Sequence, residues 1–187
     1  MLAVPDEHPT SAVVTAPGRL RLRRPTPDDL EVVHALHSHP RTNVHNPAGP
    51  HRDRQTSQAM LTEWLAHWDE HGFGYQVVEL TTPPATVIGF TGVRHTIWAA
   101  VPTLNLYYRY AADHHGRGYA TEGACHVVAW ATRHHPATPV VAITTLDNTR
   151  SQRTAQAAGL RRRPELEHTW RGHWSVVLTT SWPTDTP

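Results

Sequence analysis

Residues 104–121 constrain this chain more than any other stretch. They begin as an alternating run, with Leu104, Leu106, Tyr108 and Tyr110 on one face and Asn105, Tyr107 and Arg109 between them, which is the period of a half-buried strand. The run passes through His114 and His115 into Gly116-Arg117-Gly118. There the spacing turns helical: Ala120, Ala124, Val127, Val128 and Ala131 recur at helical intervals. A strand that feeds a glycine turn opening a helix leaves free backbone N–H groups and the positive end of the helix dipole aimed at one place, a site suited to phosphate. Gly-x-Gly alone also marks a tight turn with no ligand, so the segments beyond the helix must decide.

Beyond the helix lies a second apolar strand, residues 140–145, then Asp147-Asn148-Thr149-Arg150-Ser151 running to Ala158-Gly159-Leu160. With these segments the chain resembles the GNAT superfamily of acetyl-CoA-dependent N-acetyltransferases. That family's cofactor motif, Arg/Gln-x-x-Gly-x-Gly/Ala, is matched by His115-Gly116-Arg117-Gly118-Tyr119-Ala120, and its Asn-x-x-Ser helix by residues 148–160. Within the family the resemblance leans to the branch that acetylates ribosomal-protein N-termini (RimJ/RimL-like), whose members read Gly-x-Gly-Tyr-Ala-Thr-Glu, here residues 116–122 without a break. The resemblance covers about residues 19–182, and its specific motifs lie in residues 108–160.

The resemblance implies a set of site residues. The amides of Gly116, Arg117, Gly118, Tyr119, Ala120 and Thr121 cradle the pyrophosphate of CoA, with Arg117 adding charge outside. Tyr110 and Ala111 supply backbone groups to the pantetheine arm where two strands splay apart. Asn148 caps its helix and positions cofactor. Two departures stand out: His115 replaces the usual Arg/Gln, and Ala155 occupies the place of a common tyrosine acid. Ser151, one helical turn upstream of Ala155, is then the expected donor to the leaving thiolate; the alternative is a hydroxyl bonded within its own helix. Arg109 either recognises an acidic substrate group or faces solvent.

Composition bounds these expectations. A chain of 187 residues suffices for a single domain with its own core. A formal charge of +1 argues against a nucleic-acid surface. All seventeen basic residues are arginine, a bias of composition with no binding code in it. One cysteine, Cys125, excludes an internal disulfide, suits a reducing compartment and reads as a small buried helix residue. No 18-residue apolar run and no signal sequence are present, so a cytoplasmic protein without membrane contact is expected.

Taken in order, residues 1–18 read as a loose arm and residues 19–183 as one domain, with 184–187 a tail. Residues 20–23 alternate as a strand. Thr26-Pro27-Asp28-Asp29 starts a helix reaching about Ser38. Residues 41–52 are loop, and a helix runs from Arg54 to about Glu70, its Leu61, Trp64, Leu65 and Trp68 forming a stripe that is either core or one wall of the acceptor site. Strands are expected over 75–80 and 86–93, a connection with an exposed Trp98 over 94–103, and a final hairpin about Arg171-Gly172. The fold class is α/β (α+β): a mixed, mostly antiparallel twisted sheet of about seven strands, splayed at the cofactor site, with about four helices.

Acyl transfer from a thioester to an amine needs a held thioester, a neutral amine, a polarised carbonyl and a protonated leaving thiolate. No acid lies on the central strand, so Glu79, His95 and His173 stand as alternatives for a base acting through water. An acceptor of low pKa, such as a peptide α-amine at about 7.7–8.0, needs little help. The expected function is transfer from acetyl-CoA to a primary amine, a peptide N-terminus or a small molecule, in a ternary complex, by a possible homodimer. The rival is a GNAT-like module that binds acyl-CoA as a sensor without turnover. A metal site at His114-His115 or His134-His135 is disfavoured, because adjacent histidines point apart and no cysteine cluster accompanies them.

Overall fold

The alternating run is the inner strand of a sheet that continues well beyond it. The structure, a computed structural model, describes residues 13–15, 18–170 and 172–185. In chain order the elements are β1 (Val13–Val14), β2 (Leu20–Arg23), α1 (Leu30–Ser38), α2 (Arg54–His71), β3 (Tyr75–Leu80), β4 (Val87–Trp98), β5 (Val101–Tyr110), α3 (Tyr119–His134), β6 (Val140–Thr145), α4 (Thr149–Ala157), β7 (Arg161–Arg162), β8 (Thr169–Trp170) and β9 (His173–Thr179). The sheet order is β1-β2-β3-β4-β5-β6-β9-β7, with β8 paired to β9. Every neighbouring pair is antiparallel except β5 with β6, which is parallel. This is the expected mixed sheet with four α-helices.

The period of two sorts side chains onto two faces. Leu104, Leu106 and Tyr110 of β5 join Leu20, Val78, Ile88, Ala124, Val127, Val128, Ala155 and Leu178 in the core beneath α3 and α4. The opposite face carries Val77, Phe90 and Tyr75 against Leu30, Val33, Leu61 and Trp64 of α1 and α2, with Tyr107 and Ala111 packed on them. Trp64 and Trp68 are both buried, and the Trp68 indole donates to the Tyr75 carbonyl at 2.8 Å.

Three expectations are corrected. Residues 94–103 are no loose connection: β4 and β5 pair from Gly89↔Tyr110 to Trp98↔Val101, closed by Ala99 and Ala100 at φ 45° and 64°. This left-handed two-residue turn is normally made by Asn or Gly, and two alanines hide it. Trp98 is buried, its indole donating to the Leu166 carbonyl at 3.3 Å. The arm is not wholly loose: Val13 and Val14 pair with Leu22 and Arg21, and the buried Thr15 hydroxyl donates to Glu122 at 2.6 Å. The remainder of that arm, residues 1–12, 16 and 17, and the tail residues 186–187 lie outside the described residues, as does Arg171 of the final hairpin. Cys125 is half-buried, with its thiol donating to the Ala157 carbonyl at 3.5 Å.

Candidate functional site

The sheet opens at its single parallel pair. The register holds Leu104 against Val140 and Asn105 against Val141 and extends no further, while β4 follows β5 to Tyr110 and β9 follows β6 to Thr145. Residues 106–110 and 142–145 therefore face each other without a ladder. Their main-chain groups call for other partners, at the carboxyl ends of parallel strands where open α/β sheets take ligands.

The glycine turn closes one end of this opening. After β5 a single 3₁₀ turn, Ala112–His114, leads to His115, whose Nε2 donates back to the Tyr110 carbonyl at 2.9 Å. His115 thus ties the turn to the strand. Gly116 and Gly118 take φ 77° and 80°, backbone that costs other residues about 1–2 kcal/mol. Gly118 caps α3 without any side-chain bond, and the first intrahelical bond is Glu122 N–H to Gly118 carbonyl at 3.0 Å. The amides of Tyr119, Ala120 and Thr121 precede that bond, so they are the donors a phosphate would meet. A Cβ on Gly116 would meet nothing within 4 Å, so the concavity is open. Arg117 is exposed beside it.

One part of this end escaped the sequence. Arg19 pairs with the buried Glu122 at 2.6 Å, donates to the Arg117 carbonyl at 3.2 Å and lies 4.9 Å from the Tyr119 ring centre. A charge from β2's approach thereby braces the helix start. The Ala111 N–H donates to the Ile88 carbonyl at 2.8 Å, and its carbonyl accepts from His114 at 2.9 Å. The N–H is thereby committed to β4, while the carbonyl keeps a second lone pair. Tyr110 keeps its place on the edge facing β6, although its carbonyl is already engaged by His115.

On the far side of the opening, the Asn148 side chain caps α4 by accepting from the Ser151 N–H at 3.2 Å. Ser151 does not stand alone. The Tyr108 phenol donates to the Ser151 carbonyl at 2.8 Å and lies 2.9 Å from its hydroxyl. Burial pushes the Tyr108 phenol up to about 12, more than the Ser151 contact brings it down, so it stays a proton donor at neutral pH. Ala155 is fully buried in the cluster on which Tyr108 packs. A phenol from β5 thus lies beside the first turn of α4, 43 residues away in the chain, and no local pattern announces such a pairing.

The loop between α1 and α2 roofs the same end of the sheet. His45 lies 3.2 Å from Asp147, Arg41 lies 3.1 Å from Asp113, and Asn43 accepts from Arg109. Behind it an open cleft of about 580 Å³ is lined by His51, Asp53, Met60, Trp64, Tyr75 and Arg94 among others. Trp64 is thus both core and cleft wall. His51 stacks on His37 at 5.1 Å, and the Ser57 hydroxyl bridges His51 and His34 at 2.8 and 2.9 Å. His37 Nδ1 donates to the Val33 carbonyl at 2.7 Å, which leaves Nε2 to accept from the Tyr107 phenol at 2.7 Å. Burial first, then Arg109, depress His37 to about 3. The same two causes lower His51, so its imidazole is neutral.

The three bases named from the sequence have different settings. Burial would raise the Glu79 carboxyl, but Arg23 and Arg21 more than offset it and hold it below the usual range. His95 belongs to a histidine and Phe73 group at the far ends of α2 and α3, lowered by burial and by His71 and His135. His173 is exposed at the start of β9. Among the described residues, no group of three or more His, Cys, Asp or Glu side chains is placed to hold a metal, and no helix is long and apolar enough to cross a membrane.

Residues 19–161 match the family model described as an acetyltransferase (GNAT) domain. Among solved structures the chain resembles an acetyltransferase from Agrobacterium tumefaciens, at 23% identity and TM-score 0.75, covering 97% of either chain. It also resembles a GNAT-family acetyltransferase from Bacillus anthracis, at 16% identity and TM-score 0.71, covering 90% of this chain and 96% of that one. A third is spermidine N-acetyltransferase from Vibrio cholerae, solved with CoA and spermine, at 15% identity and TM-score 0.67, covering 86% and 93%.

Proposed function

The chain belongs to the GNAT acetyltransferase family, and we propose that it transfers an acetyl group from acetyl-CoA to a primary amine by direct attack in a ternary complex. One observation carries this reading: a sheet that opens at its parallel pair, with a glycine-capped helix start whose first amides are free at one end of the opening and a serine–tyrosine hydroxyl pair at the other. The residues present fit the cofactor. The amides of Tyr119, Ala120 and Thr121, with the turn at Gly116, Arg117 and Gly118, would hold its pyrophosphate, and His115 and Arg19 stiffen that cradle. When bound, acetyl-CoA supplies an activated acyl group on a good leaving thiol.

Ser151 carries the hydroxyl that would donate to the leaving sulfur, held in place by the Asn148 cap and by Tyr108. Asn148 thereby positions the reacting end as well as capping α4. His51, neutral and on the cleft wall, takes the place of Glu79, His95 and His173 as the group that accepts a proton from the amine. The amine would enter through the cleft between α2 and the sheet. A cytoplasmic setting and a homodimer through the β8–β9 hairpin, where Trp174 is exposed, belong to the same reading. So does membership of the branch acting on ribosomal-protein N-termini, which the run Gly116 to Glu122 favours.

The test is release of free CoA thiol from acetyl-CoA over a panel of peptides and small amines. The native chain is expected to turn over at least one of them. Ser151→Ala is expected to lose about 100-fold in kcat while binding CoA as before. Tight CoA binding with no turnover on any amine supports the rival reading of a non-catalytic acyl-CoA sensor.

A further inference from the structure

Arg109 projects from β5 onto the α1–α2 face, one residue after the tyrosine that meets Ser151 and one before Tyr110 at the opening of the sheet. Its neighbours on that face are Asn43, Tyr107 and the stacked pair of His37 and His51, the last of which lines the cleft. Five arginines among the described residues are half-buried, Arg23, Arg24, Arg94, Arg109 and Arg163. Four of them pair with carboxylates. Arg109 has no carboxylate within ion-pair distance among the described residues; its side-chain bonds go to the neutral Asn43 amide and to the Tyr107 hydroxyl. Neither histidine offers compensation, since both are driven neutral in part by this charge.

A partly desolvated guanidinium with spare donors is costly unless an anion meets it, and its planar fork suits carboxylate or phosphate. We propose that the acceptor amine carries an anionic group close to the nitrogen, a carboxylate or a phosphate, which Arg109 binds. The proposal rests on the acetyltransferase reading and narrows it to small amino-acid-like or aminoalkyl-phosphate acceptors. At Arg109 a polycationic amine meets a repulsive charge, whereas the cleft wall also carries Asp53 and Glu63, the latter 3.8 Å from Arg94. Arg109 acts as a specificity residue; the chemistry stays with Ser151 and its neighbours.

Calorimetric titration of the CoA-saturated protein reads the proposal without turnover. The probes are matched pairs: α-amino acids against their amides, and aminoalkyl phosphates against the corresponding amino alcohols, with 1,3-diaminopropane as the cationic control. The anionic member of one series is expected to bind about 10- to 100-fold more tightly, and the series showing this separates carboxylate from phosphate. Arg109→Gln should erase the preference, Arg109→Lys should keep part of it, and both should bind CoA as the native chain does. Thiol release should show the same pattern, with kcat/KM falling for anionic acceptors alone. Equal binding within both pairs, tighter binding of the diamine, or acetylation only of peptides regardless of acidic groups would overturn the proposal while leaving the acetyltransferase reading intact. Failure of the native chain to bind acetyl-CoA removes that reading itself.

Discussion

At Tyr108 and Ser151 a strand and a helix meet through one pair of hydroxyls 2.9 Å apart. Each was visible in the sequence as a residue type at a sensible spacing, Tyr108 as a core position and Ser151 as the first turn of a helix. Their meeting was not, because it depends on the angle between β5 and α4, which no local period encodes. Arg109 is a similar case: the alternation placed it opposite the core, but only its neighbours show that it lacks a carboxylate. Tyr108→Phe keeps the ring and removes the donor. It should lower kcat by about 10-fold, leave CoA affinity unchanged and cost about 1 kcal/mol of stability. Thiol-release kinetics beside a thermal melt separate the two effects, and an unchanged kcat would reduce Tyr108 to a packing residue.

Helix α3 was legible from end to end, because a 3.6-residue apolar period and two glycines with positive φ are local properties. What the sequence did not tell is why Gly123 stands in its second turn. A Cβ there would lie 2.4 Å from the Tyr110 phenol oxygen and 3.3 Å from Thr91, so the glycine lets the helix settle onto β4 and β5. Gly123→Ala gains helix propensity yet is expected to destabilise the fold by about 1–3 kcal/mol through overpacking; denaturant titration checks the sign. The β4–β5 hairpin was half legible. Its strands alternate, but the Ala99-Ala100 turn carries no turn chemistry, and the tertiary pairing of ten residue pairs overrides the local preference.

For the molecule as a whole, six histidines with lowered proton affinity shape the response to acid: His37, His51, His67, His95, His126 and His135. The sign comes from linkage. Below the unfolded value near 6.5 the unfolded chain takes up protons that His37 refuses until about 3 and His67 until about 4. Stability is therefore highest above pH 6.5 and falls with pH through that window, by about 1.4 kcal/mol per pH unit for the fully buried His37 alone. Melts between pH 8 and 5 should show Tm dropping below 6.5, and His37→Gln should flatten that slope. A Tm independent of pH over this range contradicts the packing described around His37. The order of elements and the mixed sheet were readable at this scale from the strand and helix periods. The loop whose Arg41, Asn43 and His45 meet Asp113, Arg109 and Asp147 was read only as breakers.

The central claim is that the opened sheet and the glycine turn hold acetyl-CoA. Isothermal titration of acetyl-CoA into the native chain and into Gly118→Trp tests it most directly, with a melt to confirm that the variant folds. Micromolar binding by the native chain, abolished in the folded variant, is the predicted result. No binding by the native chain, or equal binding by both, would contradict the account.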